Sequence, residues 1–267
     1  MLPVFHAISV DQYALDGGTT QPCLMMVEDE NGHIQASHYV VKIFKRGNRA
    51  ATCREVFAQT LASEFDLQVP KAALVEVDSI IFQDLKRHEK YAQWDIEPGW
   101  YFATEYLSDA KIFSPTMPFS LLDSWDMERI FAFDVLIRNS DRRVGKPNFL
   151  LHQQVPVLID HELSLRVNKP FSAYVANQDW GFLSMEGNRD HVFLAPLRKK
   201  FKKDGLDFSS ILEYLRTLKP RMLFPYAEQL LELGYEEAEI VNPITDYLQD
   251  VKANSHLFPK ILTDLVQ

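Results

Sequence analysis

Apolar and polar positions alternate near the start of the chain. Val4, His6, Ile8 and Val10 fall on one side of a two-residue period, which predicts a strand. Asp16-Gly17-Gly18-Thr19-Thr20 interrupts it, and an apolar run resumes over residues 22–28. Asn31-Gly32 signals a tight turn, and residues 39–44 read as a third strand. Residues 48–65 predict a helix, with Cys53, Phe57, Leu61 and Phe65 at i, i+4 spacing. Residues 72–85 predict more strand, broken only by Glu76 and Asp78. A polar loop over residues 86–99 follows, then an aromatic strand over 100–107. The next ten or so positions read as a boundary. An apolar helical run over 130–139 leads into a polar loop. Beyond it, the short apolar runs 149–151 and 155–159 flank Gln153-Gln154, the pattern of a hairpin. Residues 170–178, 207–218, 220–233 and 236–266 predict helices, with Pro243 and Pro259 at a helix start or break. The pattern therefore gives an α+β chain: an antiparallel sheet first, then a mainly helical part bearing one hairpin.

Composition narrows the function classes. At 267 residues and 46% hydrophobic, the chain can build one large domain or two lobes sharing a cleft. Its net charge of −9 argues against direct nucleic-acid binding through phosphate contacts. The basic run Arg198-Lys199-Lys200-Phe201-Lys202-Lys203 reads as a solvated helix end rather than a binding patch. No apolar run approaches the 18 or so residues of a membrane span, and the start of the chain lacks a signal-peptide pattern. Cys23 and Cys53 are the only cysteines, too few for a disulfide framework or a four-cysteine metal site. The expected compartment is a reducing cytoplasm.

Several charged residues stand where their neighbours are apolar. Alternation places Lys42 on one strand face with Val40 and Phe44, and an ammonium there requires an anion. Glu55 lies beside Ala51, Ala58 and Ala62, a small-residue helix face that permits close approach, and is the expected partner. Gly17 and Gly18, with Thr19, occupy an inter-strand loop where the backbone can approach phosphate oxygens. Asp141 and Asn148 share the polar loop, and Asp160 ends the second hairpin strand. Mg²⁺ takes one or two protein oxygens plus substrate phosphates, so Asn148 and Asp160 suit the metal and Asp141 an incoming hydroxyl. Asp134 and Arg138, at i, i+4, read as a structural pair. His161, adjacent to Asp160, points to the opposite face of a strand and is not read as a base.

Three segments resemble the HipA-like kinases in their first half: Tyr39-Val40-Val41-Lys42, Arg54-Glu55 and Leu67-Gln68-Val69-Pro70. Three more resemble the catalytic core: Asn139-Ser140-Asp141-Arg142-Arg143, Asn148-Phe149-Leu150-Leu151 and Ile159-Asp160-His161. The resemblance is firm over residues 4–165 and loose beyond, with a more distant similarity to phosphoinositide and protein kinases. It implies a bilobal protein-kinase-like fold, with an N-lobe over residues 1–107 and a helical C-lobe over 108–267. The implied activity is ATP- and Mg²⁺-dependent phosphate transfer to a Ser or Thr hydroxyl of a protein. It also implies a toxin system with an antitoxin or regulatory partner. Lys42 would hold the phosphates, oriented by Glu55, and the main chain of Glu105, Tyr106 and Leu107 would face adenine. A hydroxyl of the glycine loop, Thr19 or Thr20, would accept an inhibitory phosphate from the enzyme itself.

Two departures stand out. Asp141 and Asn148 are seven apart, two more than in the protein-kinase loop, and Val144-Gly145-Lys146-Pro147 could bulge to absorb the excess. Lys146 could also reach the transferred phosphate. Asp160-His161-Glu162 replaces Asp-Phe-Gly, and Glu162 reads as a strand-end acid, with an extra metal ligand as the alternative. The same parts also serve a small-molecule or lipid kinase, or a nucleotide-binding pseudokinase acting as a regulatory module.

Overall fold

In the computed structural model, five strands close into a barrel in the order β1-β2-β3-β5-β4. They are β1 (Val4–Gln12), β2 (Cys23–Glu28), β3 (Tyr39–Val41), β4 (Ala72–Val77) and β5 (Gly99–Glu105). The structure describes residues 1–15, 20–114, 117, 125–177 and 191–267. These group into two compact units. The first holds residues 1–56, 70–108 and 225–238, and the second holds residues 57–69, 109–224 and 239–267.

Alternation builds the barrel core. Cys23, Met25 and Val27 of β2 are fully buried, while Leu24, Met26 and Glu28 between them are half-buried. Phe5, Ala7, Val41, Ala73, Val75, Val77 and Ala103 join the same cluster. The sheet is not antiparallel throughout, as the sequence pattern suggested. β1 pairs β4 in parallel, Phe5 facing Val75, and this pairing closes the barrel. Closure removes the exposed edges that β1 and β4 would otherwise present.

Another expectation changes after β4. The strand stops at Val77, and Asp78 caps a helix, α2 (Ser79–Arg87), accepting from the Ile80 and Ile81 amides at 2.9 and 2.8 Å. An N-cap carboxylate satisfies donors that a new helix leaves orphaned. The apolar Ile81 and Leu85 thus become one buried helix face rather than strand positions. A one-turn helix then places Tyr91 in the core, where its hydroxyl donates to the Gln21 carbonyl at 2.6 Å and accepts from the Ala14 amide at 3.0 Å. Leu15 also donates to the Pro22 carbonyl at 2.8 Å. Both stems of the glycine loop are therefore anchored, while Gly17, Gly18 and Thr19 lie outside the described residues.

The helix expected over residues 48–65 is α1 (Arg49–Glu64). Cys53, Phe57 and Leu61 are buried completely, and so are Ala51, Ala58 and Ala62. A helix apolar on both these stripes suits burial nearly all round.

The second unit is organised on α4 (Met127–Leu136), the helix after α3 (Glu89–Ala92). Asp126 caps it through the Arg129 amide at 3.0 Å, and Ile130, Phe131, Ala132 and Phe133 are buried. The hairpin is β7 (Phe149–His152) with β8 (Val155–Leu158), and a short β6 (Lys111–Ile112) pairs with β7. Gln153 and Gln154 form its two-residue turn, at φ 51° and 67°. Two successive positive φ values match the right-handed strand twist. Pro156 is tolerated because β8 is the edge strand of this sheet. Helices Leu194–Asp204, Ser209–Thr217, Val241–Ala253 and Phe258–Val266 complete the unit, with the basic run on the solvated end of the first.

Candidate active site

A carboxylate in an apolar helix is the starting point. Asp134 sits in α4, is almost wholly inaccessible, and must be compensated or protonated. It is compensated three times. Arg142 Nε donates at 2.6 Å, Asn139 Nδ2 at 2.8 Å and His191 Nε2 at 3.1 Å. Burial alone would raise the Asp134 pKa. The Arg142 charge and the His191 hydrogen bond override it and hold the group at about 2.

The i+4 partner read from the sequence is not used. α4 ends at Leu136 and Arg138 adopts φ 54°, so helical spacing no longer applies. The Arg138 guanidinium lies over the Tyr174 ring, 4.0 Å from its centroid. Arg142 takes its place and does more. Fully buried, it also donates to the Asn148 carbonyl and contacts His161 Nε2 at 3.1 Å. Guanidinium has no acceptor, so His161 Nε2 must present its lone pair. His161 is thus buried, but not by strand alternation: β8 ends at Leu158 and Asp160 adopts φ 63°, so the two residues do not lie on opposite faces of a strand as the sequence reading assumed. The Phe193 amide donates to His191 Nδ1 at 3.2 Å, which leaves Nε2 to carry the proton toward Asp134.

This buried network shapes the loop above it. Asn139 Oδ1 accepts from the Asp141 amide at 3.1 Å, and the Asn148 carbonyl accepts from Ile159 at 3.0 Å. One end of the loop is thereby tied to α4 and the other to the residue before Asp160. The two extra residues form a tight turn: Arg143 and Lys146 exchange backbone hydrogen bonds at 3.1 and 2.9 Å. Asn148 and Asp160 both adopt positive φ, 52° and 63°. Neither is glycine, and such conformations cluster where function requires them.

Asp141 and Asp160 consequently face one point. Lys146 Nζ lies 2.5 Å from Asp141 Oδ2 and 2.9 Å from Asp160 Oδ2. Asn148 Nδ2 donates to Asp141 Oδ2 at 3.0 Å. Asp141 is 5% exposed, so this is a sheltered carboxylate. Burial would lower the Lys146 pKa, but Asp160 and Asp141 together raise it above the usual lysine value. Carboxylate and amide oxygens are the donor set a hard divalent cation selects, so Asn148 and Asp160 fit Mg²⁺ chemically. Glu162 is buried and lies beyond the end of β8 at Leu158.

In the first unit, Lys42 follows β3 and continues its pairing, donating its amide to the Phe102 carbonyl at 2.9 Å. Its ammonium forms an ion pair with Glu55 of α1, whose side chain is 1% exposed. The anion required by alternation is the one named from the helix face. On β5, the Glu105 amide donates to Lys71 and the Tyr106 amide to His38, both at 2.8 Å. Two amides of the Glu105–Leu107 main chain, the segment read as facing adenine, are therefore engaged within this unit. Both cysteines are buried, and burial pushes the Cys53 thiol up to about 12, so neither suits thiolate chemistry.

Sequence reasoning missed Arg142 and His191. The one signal was Asp134 itself, a charge inside Ile-Phe-Ala-Phe-Asp-Val-Leu that had to find donors. Which donors those are depends on a segment more than fifty positions away.

Comparison with known proteins follows the same direction. A family model described as HipA-like kinase matches residues 12–188. No curated protein matches. Among solved structures the chain is similar in fold to the Helicobacter pylori proinflammatory kinase CtkA, with a TM-score of 0.54 at 11% identity. The likeness covers 98% of this chain and 99% of that one.

Proposed function

The chain belongs to the HipA-like kinase family, and we propose that it is an active enzyme transferring the γ-phosphate of ATP to a Ser or Thr hydroxyl of a protein. The observation that carries this reading is the convergence of Asp141, Asn148 and Asp160 around one cationic point, held from beneath by the buried Asp134–Arg142 pair. A pseudokinase has no need of an acceptor-side carboxylate kept buried and oriented by hydrogen bonds from Lys146 and Asn148.

The residues divide the work as follows. Asp141 accepts or orients the proton of the attacking hydroxyl. The hydroxyl oxygen then bonds to the γ-phosphorus, and the bond to the β–γ bridging oxygen breaks to release ADP. Asn148 and Asp160 would hold Mg²⁺, which would supply positive charge against the negative charge of the phosphates. Lys42, oriented by Glu55, binds phosphate oxygens. Gly17, Gly18 and Thr19 would cover them, and the main chain of Glu105, Tyr106 and Leu107 would meet adenine. Most of the rate gain is positioning and charge stabilisation. The bilobal division into residues 1–107 and 108–267 belongs to this reading, as do a toxin system and an antitoxin partner.

Phosphate transfer from labelled ATP decides it. Wild-type protein should label itself or a protein acceptor in the presence of Mg²⁺, and Asp141→Ala should not. Failure of the wild type to transfer phosphate to protein, lipid or small-molecule acceptors would leave the regulatory-module reading in its place.

A further inference from the structure

Lys146 is placed where no role in the proposed reaction requires it to be. Its ammonium is within 3 Å of an oxygen of Asp141 and of an oxygen of Asp160. These are the acceptor-side acid and a metal-side acid, which the proposed chemistry needs to act separately. The backbone of Lys146 is fixed by its two hydrogen bonds to Arg143 and by Pro147 after it. The side chain is 26% exposed, so it is in partial contact with solvent.

We propose that Lys146 is a positioning residue: a tethered counter-cation that holds Asp141 and Asp160 together before loading and competes with a divalent ion for Asp160. The inference rests on the kinase reading above for the identity of the site, and on the two distances for the competition. Two carboxylates facing one point repel unless a positive charge lies between them. Lys146 supplies that charge from within the chain. A divalent ion arriving alone must displace it and gains only the difference between two cations. An ion arriving with a nucleotide meets a different balance, because the polyphosphate offers the released ammonium a new anion. Lys146 thereby couples metal binding to nucleotide binding, and the free protein discriminates against unaccompanied divalent ions.

The test is Mn²⁺ binding to the full chain without nucleotide, followed by the electron paramagnetic resonance signal of the free ion. Lys146→Met and Lys146→Gln remove the competing charge and should bind Mn²⁺ at least about tenfold more tightly than wild type. Lys146→Arg keeps the charge and should bind it as weakly as wild type. Adding a non-hydrolysable ATP analogue should tighten Mn²⁺ binding strongly in the wild type and much less in the neutral variants. Neutral variants that bind Mn²⁺ no better than wild type overturn the proposal, and so does Lys146→Arg behaving like them. Binding of the analogue to wild type is measured alongside. Its absence would count against the kinase reading, whereas the nucleotide-free Mn²⁺ comparison judges Lys146 alone.

Discussion

Replacing Asp134 by Asn removes one charge and almost no volume, yet it should be among the most damaging changes in the second unit. Oδ2 accepts from both Arg142 and His191, and Oδ1 accepts from Asn139. An amide cannot accept at both ends, so at least one of these donors loses its partner. The buried guanidinium also loses its counter-ion. Removing one member of a buried pair costs about 3–5 kcal/mol, a large share of a typical total of about 5–15 kcal/mol. A second magnitude comes from protonation. A folded pKa of about 2, against the ordinary 3.8, corresponds to about 2 kcal/mol. The smaller figure compares two states of an intact site, whereas the substitution also strands Arg142, so the larger one governs the variant. Because the folded pKa is depressed, the contribution is present above the ordinary carboxylate range and is lost as pH falls toward 2. The stability gap between wild type and Asp134→Asn should therefore narrow by about 1 kcal/mol between pH 6 and pH 3. Urea denaturation followed by far-ultraviolet circular dichroism at several pH values measures it. A cost below about 1 kcal/mol at neutral pH, or a gap that widens on acidification, would refute the reasoning.

Four further outcomes are expected. Mg²⁺-ATP should raise the melting temperature of the wild type by mass action, and Asp160→Ala should abolish most of the metal-dependent part of that rise in a thermal-shift titration. Asp141→Asn should keep nucleotide binding while lowering phosphate transfer by about two orders of magnitude or more, and Lys42→Met should impair both; near-normal turnover in Asp141→Asn would mean that the acceptor acid is misassigned. Gln154→Gly should stabilise the hairpin by about 0.5–1 kcal/mol, since glycine adopts φ 67° without the left-handed penalty, and a chemical denaturation midpoint that falls would contradict the turn geometry. Autophosphorylation of the glycine loop should favour Thr19 over Thr20, whose side chain belongs to a residue only 8% exposed; mass spectrometry after incubation with Mg²⁺-ATP locates the phosphate, and an active enzyme unmodified at both positions would remove this mode of control.

Local chemistry made part of this protein legible from its sequence alone. Alternation located β1, because a sheet with one buried face imposes a period of two, and short apolar runs located β2 and the hairpin. Lys42 announced its need for an anion by standing among apolar neighbours, and Glu55 answered from a helix face lined with alanines. Asp141, Asn148 and Asp160 could be named because each type of side chain has few reasons to recur in that order beside a hairpin. Other features depended on contacts that no local window contains. The parallel β1–β4 pairing joins Phe5 to Val75, so only closure of the barrel selects it. Residues 79–87 carry enough isoleucine and phenylalanine to pass for a strand, and the Asp78 cap with the buried face of Ile81 and Leu85 decided for helix. Arg138 was the helical neighbour of Asp134 only while α4 continued; its end at Leu136 gave the carboxylate to Arg142 and to His191, which arrives from a distant segment. Lys146 was visible as a loop lysine, but its place between two acids arises only when the reciprocal Arg143–Lys146 turn and the Asn148–Ile159 bond bring both ends of the loop together. Spacing and side-chain type tell which groups a site can use; the distance between two carboxylates is set by backbone that folds them toward each other.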